Sequence, residues 1–157
     1  MLWFVRHAAV DLDLARPAST WELTADGRAD ADAIAARLAP VARVLSSPEP
    51  KAAATGEPIA ARSGVELELD PRLREVWREA NLPDYAAHRD AVRRYLDGEA
   101  IAGWEPAADA RARFASALEG LDDAVVVTHA TVLSLFLGYD FERWNRIALP
   151  DLIEWRP

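Results

Sequence analysis

Four short apolar runs, at residues 2–5, 41–45, 65–69 and 124–127, are separated by long stretches rich in Ala, Arg, Asp and Glu at helical spacing. This alternation constrains the fold more than any other feature of the chain. Short β-branched runs suit buried strands, and helical connections between them are long enough to be crossovers that leave neighbouring strands parallel. The pattern predicts an α/β protein, a three-layer α/β/α sandwich with a mostly parallel central sheet and helices on both faces.

The first helix starts at Thr24, a suitable N-cap, with Asp26 at the positive end of the dipole. Gly27, Ala31, Ile34 and Leu38 form one stripe, and Pro40 stops it. A second helix is predicted over about 51–62, ending near Gly64, with Pro58 removing one hydrogen bond and bending it. Two more are expected over 84–97 and 106–118, with Gly98 and Gly103 between them. A buried helix over 132–137 is closed by Gly138, and residues 152–155 suit a last edge strand. The tryptophan-rich stretch 144–155 fits either core or an interface.

With 157 residues, about half of them apolar, the chain is expected to form one domain, residues 1–157. The charge balance, 18 − 26 = −8, argues against nucleic acid or an anionic membrane as partner, so any anion site must be a local cationic pocket. Absence of cysteine removes thiolate catalysis and Cys-type zinc sites. No segment approaches the ~20 apolar residues of a membrane span, and the N-terminal run is too short for a signal peptide. A soluble, cytoplasmic protein is expected.

Two predicted strands end in a histidine followed by alanine: Val5-Arg6-His7-Ala8 and Val127-Thr128-His129-Ala130. Neighbouring parallel strands would aim both imidazoles into the crevice where open α/β sheets bind ligands. Arg6-His7 sets a phosphate-binding cation beside a nucleophile, which points to phosphoryl chemistry. A third strand end carries Ser46-Ser47-Pro48-Glu49-Pro50-Lys51, continuing to Thr55-Gly56-Glu57-Pro58-Ile59-Ala60.

These segments, in this order, resemble the histidine phosphatase superfamily, also called the phosphoglycerate mutase-like family. That family opens on Arg-His-Gly, has a strand-end Ser-Ser-Pro segment with a second arginine, and ends with a later histidine; the segment from Leu23 through Leu38 resembles its first helix. The resemblance implies a phosphoglycerate mutase-like fold and a metal-independent phosphatase without cofactor, acting on a phosphomonoester through a phosphohistidine. His7 is then the implied nucleophile, Arg6 and His129 the implied phosphate ligands. Leu73-Arg74-Glu75 resembles the family's Leu-x-Glu segment, which makes Glu75 the implied general acid and Glu79 the next candidate; a neighbouring phosphate dianion would raise the acid's pKa.

Among the positions that depart from the pattern, three bear on the phosphate site. Lys51 stands where the second arginine is expected, a point charge in place of a fork, and so a weaker phosphate ligand or none. Ala8 replaces the motif's glycine, which matters if that residue needs positive φ. Val10 replaces a threonine and can donate no hydroxyl hydrogen bond. These changes leave open a catalytically weakened phospho-ligand-binding or regulatory module. A metal hydrolase using His7, His88 and His129 lacks any recognisable ligand spacing. The interval from Glu75 to His129 is where the family selects substrate, with a short cap insertion expected around 76–104; Trp77, Tyr85, His88 and Trp104 are candidates for its entrance. The expected partner is a phosphorylated small molecule or a phosphoprotein, and the oligomeric state is left open.

Overall fold

The computed structural model describes residues 1–156 and contains β1 (Leu2–Arg6), β2 (Arg43–Ser46), β3 (Leu67–Leu69), β4 (Ala124–Thr128) and β5 (Asp151–Trp155). Its helices are α1 (Ala25–Arg37), α2 (Pro50–Ser63), α3 (Tyr85–Leu96), α4 (Ala107–Ala117), α5 (Ala130–Leu137) and α6 (Phe141–Arg146). Single 3-10 turns stand at Ala18–Thr20 and Pro71–Leu73. The strands form one sheet in the order β3-β2-β4-β1-β5, every neighbour parallel except the antiparallel edge β5. The predicted three-layer arrangement is what forms.

Side chains alternate between the two faces, and each face has its own core. Leu2, Phe4, Leu45, Ala124 and Val126 pack with Phe114 of α4, Leu133 of α5 and Tyr95 of α3. Val5, Val44, Val125 and Val127 pack on the other face with Ile34 of α1 and Ile59 of α2. Because helices cover both sides, all five residues of β4 are buried, and the strand reads as a continuous apolar run.

The boundaries differ from the sequence reading where backbone groups are already used. Val41 N–H donates to the Ser63 hydroxyl, and Val65 N–H donates to the Ala60 carbonyl as part of the α2 terminus, so β2 and β3 begin two residues late. Thr24 does cap α1, accepting from Gly27 N–H at 2.9 Å, and Gly64 closes α2 in the left-handed region at φ 70°. The 144–155 stretch is entered through α6, which is capped by Asp140 and buries Phe141 and Trp144; within the stretch Trp144 and Ile147 are core, whereas Leu149 is exposed. Trp155 packs against Phe4 and Phe136.

Candidate active site

Strand register brings the candidate residues together. Arg6 pairs with Thr128 across β1 and β4, and Ser46 with Val127 across β2 and β4. The next residues, His7, His129 and Ser47, therefore leave the sheet at the same level. Two further ladder bonds carry the register past the strand ends: His7 N–H to Thr128 O and Ser47 N–H to Val127 O, both 3.0 Å. The two imidazole rings lie 5.2 Å apart, centre to centre.

The chain after His7 is held from both sides. Ala8 N–H donates to the Thr55 hydroxyl at 3.0 Å, and that hydroxyl donates to Lys51 O at 2.7 Å. Gly27 of α1 sits so close to Ala9 that a Cβ there would lie 2.2 Å from the Ala9 carbonyl oxygen, so this helix requires glycine to approach the loop. Ala8 itself has ordinary backbone geometry; Asp123 is the one non-glycine residue at positive φ among the described residues. The Ala8 methyl group packs with Leu23 and Ala31, so alanine fits where the motif has glycine.

His7 Nδ1 is 2.8 Å from the Ala8 carbonyl oxygen. A carbonyl only accepts, so Nδ1 carries the proton and Nε2 keeps its lone pair. Burial, followed by the neighbouring His129, Lys51 and Arg6, holds the His7 pKa well below its usual value. His7 is thus a neutral imidazole with one basic nitrogen. His129 is also buried and neutral, its pKa well below the ordinary range because of burial and then Lys51. Its Nε2 lies 2.9 Å from Ser47 Oγ and 3.6 Å from Glu49 Oε1.

Lys51 is present but engaged. Its ammonium donates to Glu49 Oε2 and to Ala18 O, both at 2.6 Å, with Lys51 and Glu49 each 4% exposed. Burial lowers its pKa while Glu49 opposes that shift. A second cation, Arg78, lies within electrostatic reach of Glu75, Lys51 and His129, lowering the pKa of each. It donates to His88 Nδ1 at 3.0 Å, and its guanidinium lies over the Trp104 ring. His88 is therefore bound to Arg78 instead of joining the other two histidines, and burial followed by Arg78 lowers its pKa to about 4.

Glu75 reaches the site through tertiary contacts. Thr128 Oγ1 donates to Leu73 O at 2.9 Å, and Arg113 of α4 donates to the carbonyls of Arg72, Arg74 and Glu75, tying this segment to the sheet and to α4. The Glu75 carboxylate accepts N–H bonds from Val76, Thr131 and Val132, the last two at the start of α5. This cap explains why α5 begins two residues before the apolar run at 132. Burial alone would raise the Glu75 pKa, but the Arg78 charge and the backbone donors Val76 and Thr131 bring it below the usual value. In the free protein Glu75 is a carboxylate. Glu79, the other candidate, lies in the wall of a neighbouring groove of about 890 Å³ that contains neither His7 nor His129.

Arg6, His7, Lys51, Glu75, Arg78 and His129 share the wall of a cavity of about 350 Å³, to which Tyr85 and His88 also belong. Trp77 opens on the neighbouring groove, and Trp104 packs in the core behind His88. Four buried side-chain polar atoms lack a hydrogen-bond partner among the described residues, and three belong to residues of this cavity: Arg6 Nε, His129 Nδ1 and Trp144 Nε1. Unpaired buried polar atoms are costly, and their concentration around this cavity makes it the candidate site.

The family model of the histidine phosphatase superfamily (branch 1) matches residues 2–154. The chain belongs to the histidine phosphatase superfamily. Among solved structures, Bacillus stearothermophilus YhfR is 18% identical, with TM-score 0.73, over 99% of this chain and 91% of that one. The native mycobacterial glucosyl-3-phosphoglycerate phosphatase Rv2419c is 22% identical, with TM-score 0.70, over 94% and 84%. TTHB049 from Thermus thermophilus is 27% identical, with TM-score 0.63, over 89% and 85%. No curated protein sequence matches. The fold is therefore the phosphoglycerate mutase-like one.

Within this superfamily member, three residues near the site escaped the sequence reading. Glu49 stands inside the Ser-Ser-Pro segment, where its burial against Lys51 and the Glu75 N–H has no local signature. Arg78 and Arg113 stand in charged stretches and carry no local signature. The one available signal was the excess of arginine around Glu75 and the absence of the expected second arginine, which left a cation to be found elsewhere.

Proposed function

We propose that the protein hydrolyses phosphomonoesters through a phosphohistidine on His7. His7 Nε2 attacks phosphorus in line with the ester oxygen; the N–P bond forms and the P–O bond to the alcohol breaks. Arg6 and His129 meet the equatorial oxygens, where charge accumulates. The departing alkoxide takes a proton from Glu75. Water then attacks phosphorus, losing a proton to the Glu75 carboxylate as the N–P bond breaks and phosphate leaves.

The free state of Glu75 decides how the first proton arrives. Since the carboxyl is ionised before substrate binds, the proton comes with the monoanionic form of the ester, whose second pKa is near 6. The observation that carries the proposal is the juxtaposition, in one cavity wall, of a histidine with a free Nε2, the Arg6 guanidinium and His129. Labelled phosphate from a turned-over ester is expected to be trapped on wild type and not on His7→Ala; hydrolysis unaffected by that substitution sinks the mechanism.

A second reading, a weakened phospho-ligand-binding module of the same fold, is favoured by the capture of Lys51 by Glu49 and Ala18. A screen of phosphate esters against wild type and Lys51→Arg separates the two. Substantial wild-type turnover of a good substrate removes the non-enzymatic reading.

A further inference from the structure

We infer that the alcohol carried by the phosphate is apolar, a short alkyl chain or a single ring, an inference that rests on the phosphomonoester reading of the site. Beyond the phosphate end, the cavity is walled by Val10, Leu12, Leu14, Tyr85, Trp144 and Leu149. Seven large hydrophobic residues are exposed on the described surface, and four of them, Leu12, Leu14, Tyr85 and Leu149, belong to this wall. Single exposed apolar side chains need no explanation, but their convergence on the mouth of one polar-floored cavity does. Val10, where the family pattern has threonine, extends the same apolar lining inward.

Several polar groups of this wall are committed elsewhere, while Trp144 Nε1 has no partner among the described residues. The Asn81 amide donates to the carbonyls of Leu14 and Arg16, and Asp84 accepts from Ala87 N–H at the start of α3. His88 is taken by Arg78. A sugar or glycerate group would bring hydroxyls or a carboxylate against a lining that has few free partners for them, and Asp84 would repel a second anion. Each polar group buried without a partner lowers affinity roughly tenfold to a hundredfold. At about 350 Å³ the cavity lies at the small end for ligand sites, which suits phosphate plus one compact apolar group.

The test uses n-alkylphosphonates from methyl to hexyl, which cannot be hydrolysed, titrated calorimetrically into the wild-type protein. Kd is expected to fall about threefold to fourfold for each added methylene until the cavity is full, and a terminal hydroxyl on the chain is expected to undo the gain. The double variant Leu12→Ser/Tyr85→Ser, altered at exposed positions, is expected to flatten the series. Affinity independent of chain length, preference for the hydroxylated chain, or a full slope persisting in the double variant overturns the inference. His7-dependent hydrolysis is assayed in parallel with n-alkyl phosphates: a slope without hydrolysis supports the apolar subsite and refutes the reaction, whereas hydrolysis without a slope does the reverse.

Discussion

Replacing Lys51 with methionine asks whether this residue serves phosphate or the fold. Its ammonium is bound at 2.6 Å by Glu49 Oε2 and by Ala18 O, and the other Glu49 oxygen accepts the Glu75 N–H at 3.1 Å. Methionine keeps most of the apolar stem but leaves Glu49 buried without its counter-charge. Breaking a buried pair in this way costs about 3–5 kcal/mol. At about 2–4 °C per kcal/mol for a chain of this size, Tm is expected to fall by roughly 6–20 °C. Glu49→Gln/Lys51→Met removes both charges while retaining an oxygen for the Glu75 N–H, and should recover stability to within about 1 kcal/mol of wild type. Urea unfolding of wild type, both single variants and the double variant at pH 7 measures the coupling. The reasoning is refuted if Lys51→Met unfolds within about 0.5 kcal/mol of wild type, all the more if inhibition by inorganic phosphate weakens more than tenfold, because Lys51 would then be spent on the anion and not on Glu49.

Arg78→Met is expected to raise the inhibition constant for inorganic phosphate roughly tenfold to a hundredfold, the worth of one charge-assisted hydrogen bond, with partial recovery in Arg78→Lys; an unchanged constant removes Arg78 from the site. The rate constant kcat/KM should fall about tenfold per pH unit above pH ~6, as the ester loses the proton that the ionised Glu75 lacks, and should not fall between pH 6 and 5, because the His7 pKa lies well below its usual value. A flat profile from pH 6 to 8 contradicts that proton inventory. His88, with a folded pKa of about 4, binds its proton more readily when unfolded, so its contribution to stability is complete above pH ~6.5 and is lost as pH falls toward 4. Near pH 5 that loss is about 2 kcal/mol, and His88→Gln should reduce the pH 8 to pH 5 difference in unfolding free energy by that amount.

Apolar periodicity was enough to place the strands and most helices, because burial on both faces leaves β4 a continuous apolar run and β-branching suits it. It missed α6, whose six residues are too few to show a period, and it started β2 and β3 early, since apolar content does not reveal that the N–H groups of Val41 and Val65 are used by neighbouring turns. The doubt over Ala8 disappeared once its φ was seen to be ordinary and its methyl group packed.

Order along the chain thus determined the α/β/α class and the two strand-end histidines, because both follow from local hydrophobicity and from what stands next in sequence. Tertiary structure decided how the charges are used. Glu49 and Lys51 neutralise each other two residues apart, Glu75 caps a helix that begins fifty-five residues later, and Arg78 stands beside them from a loop with no period. Pairing, burial and protonation depend on distances through space, and in this chain those distances join segments that share no local pattern.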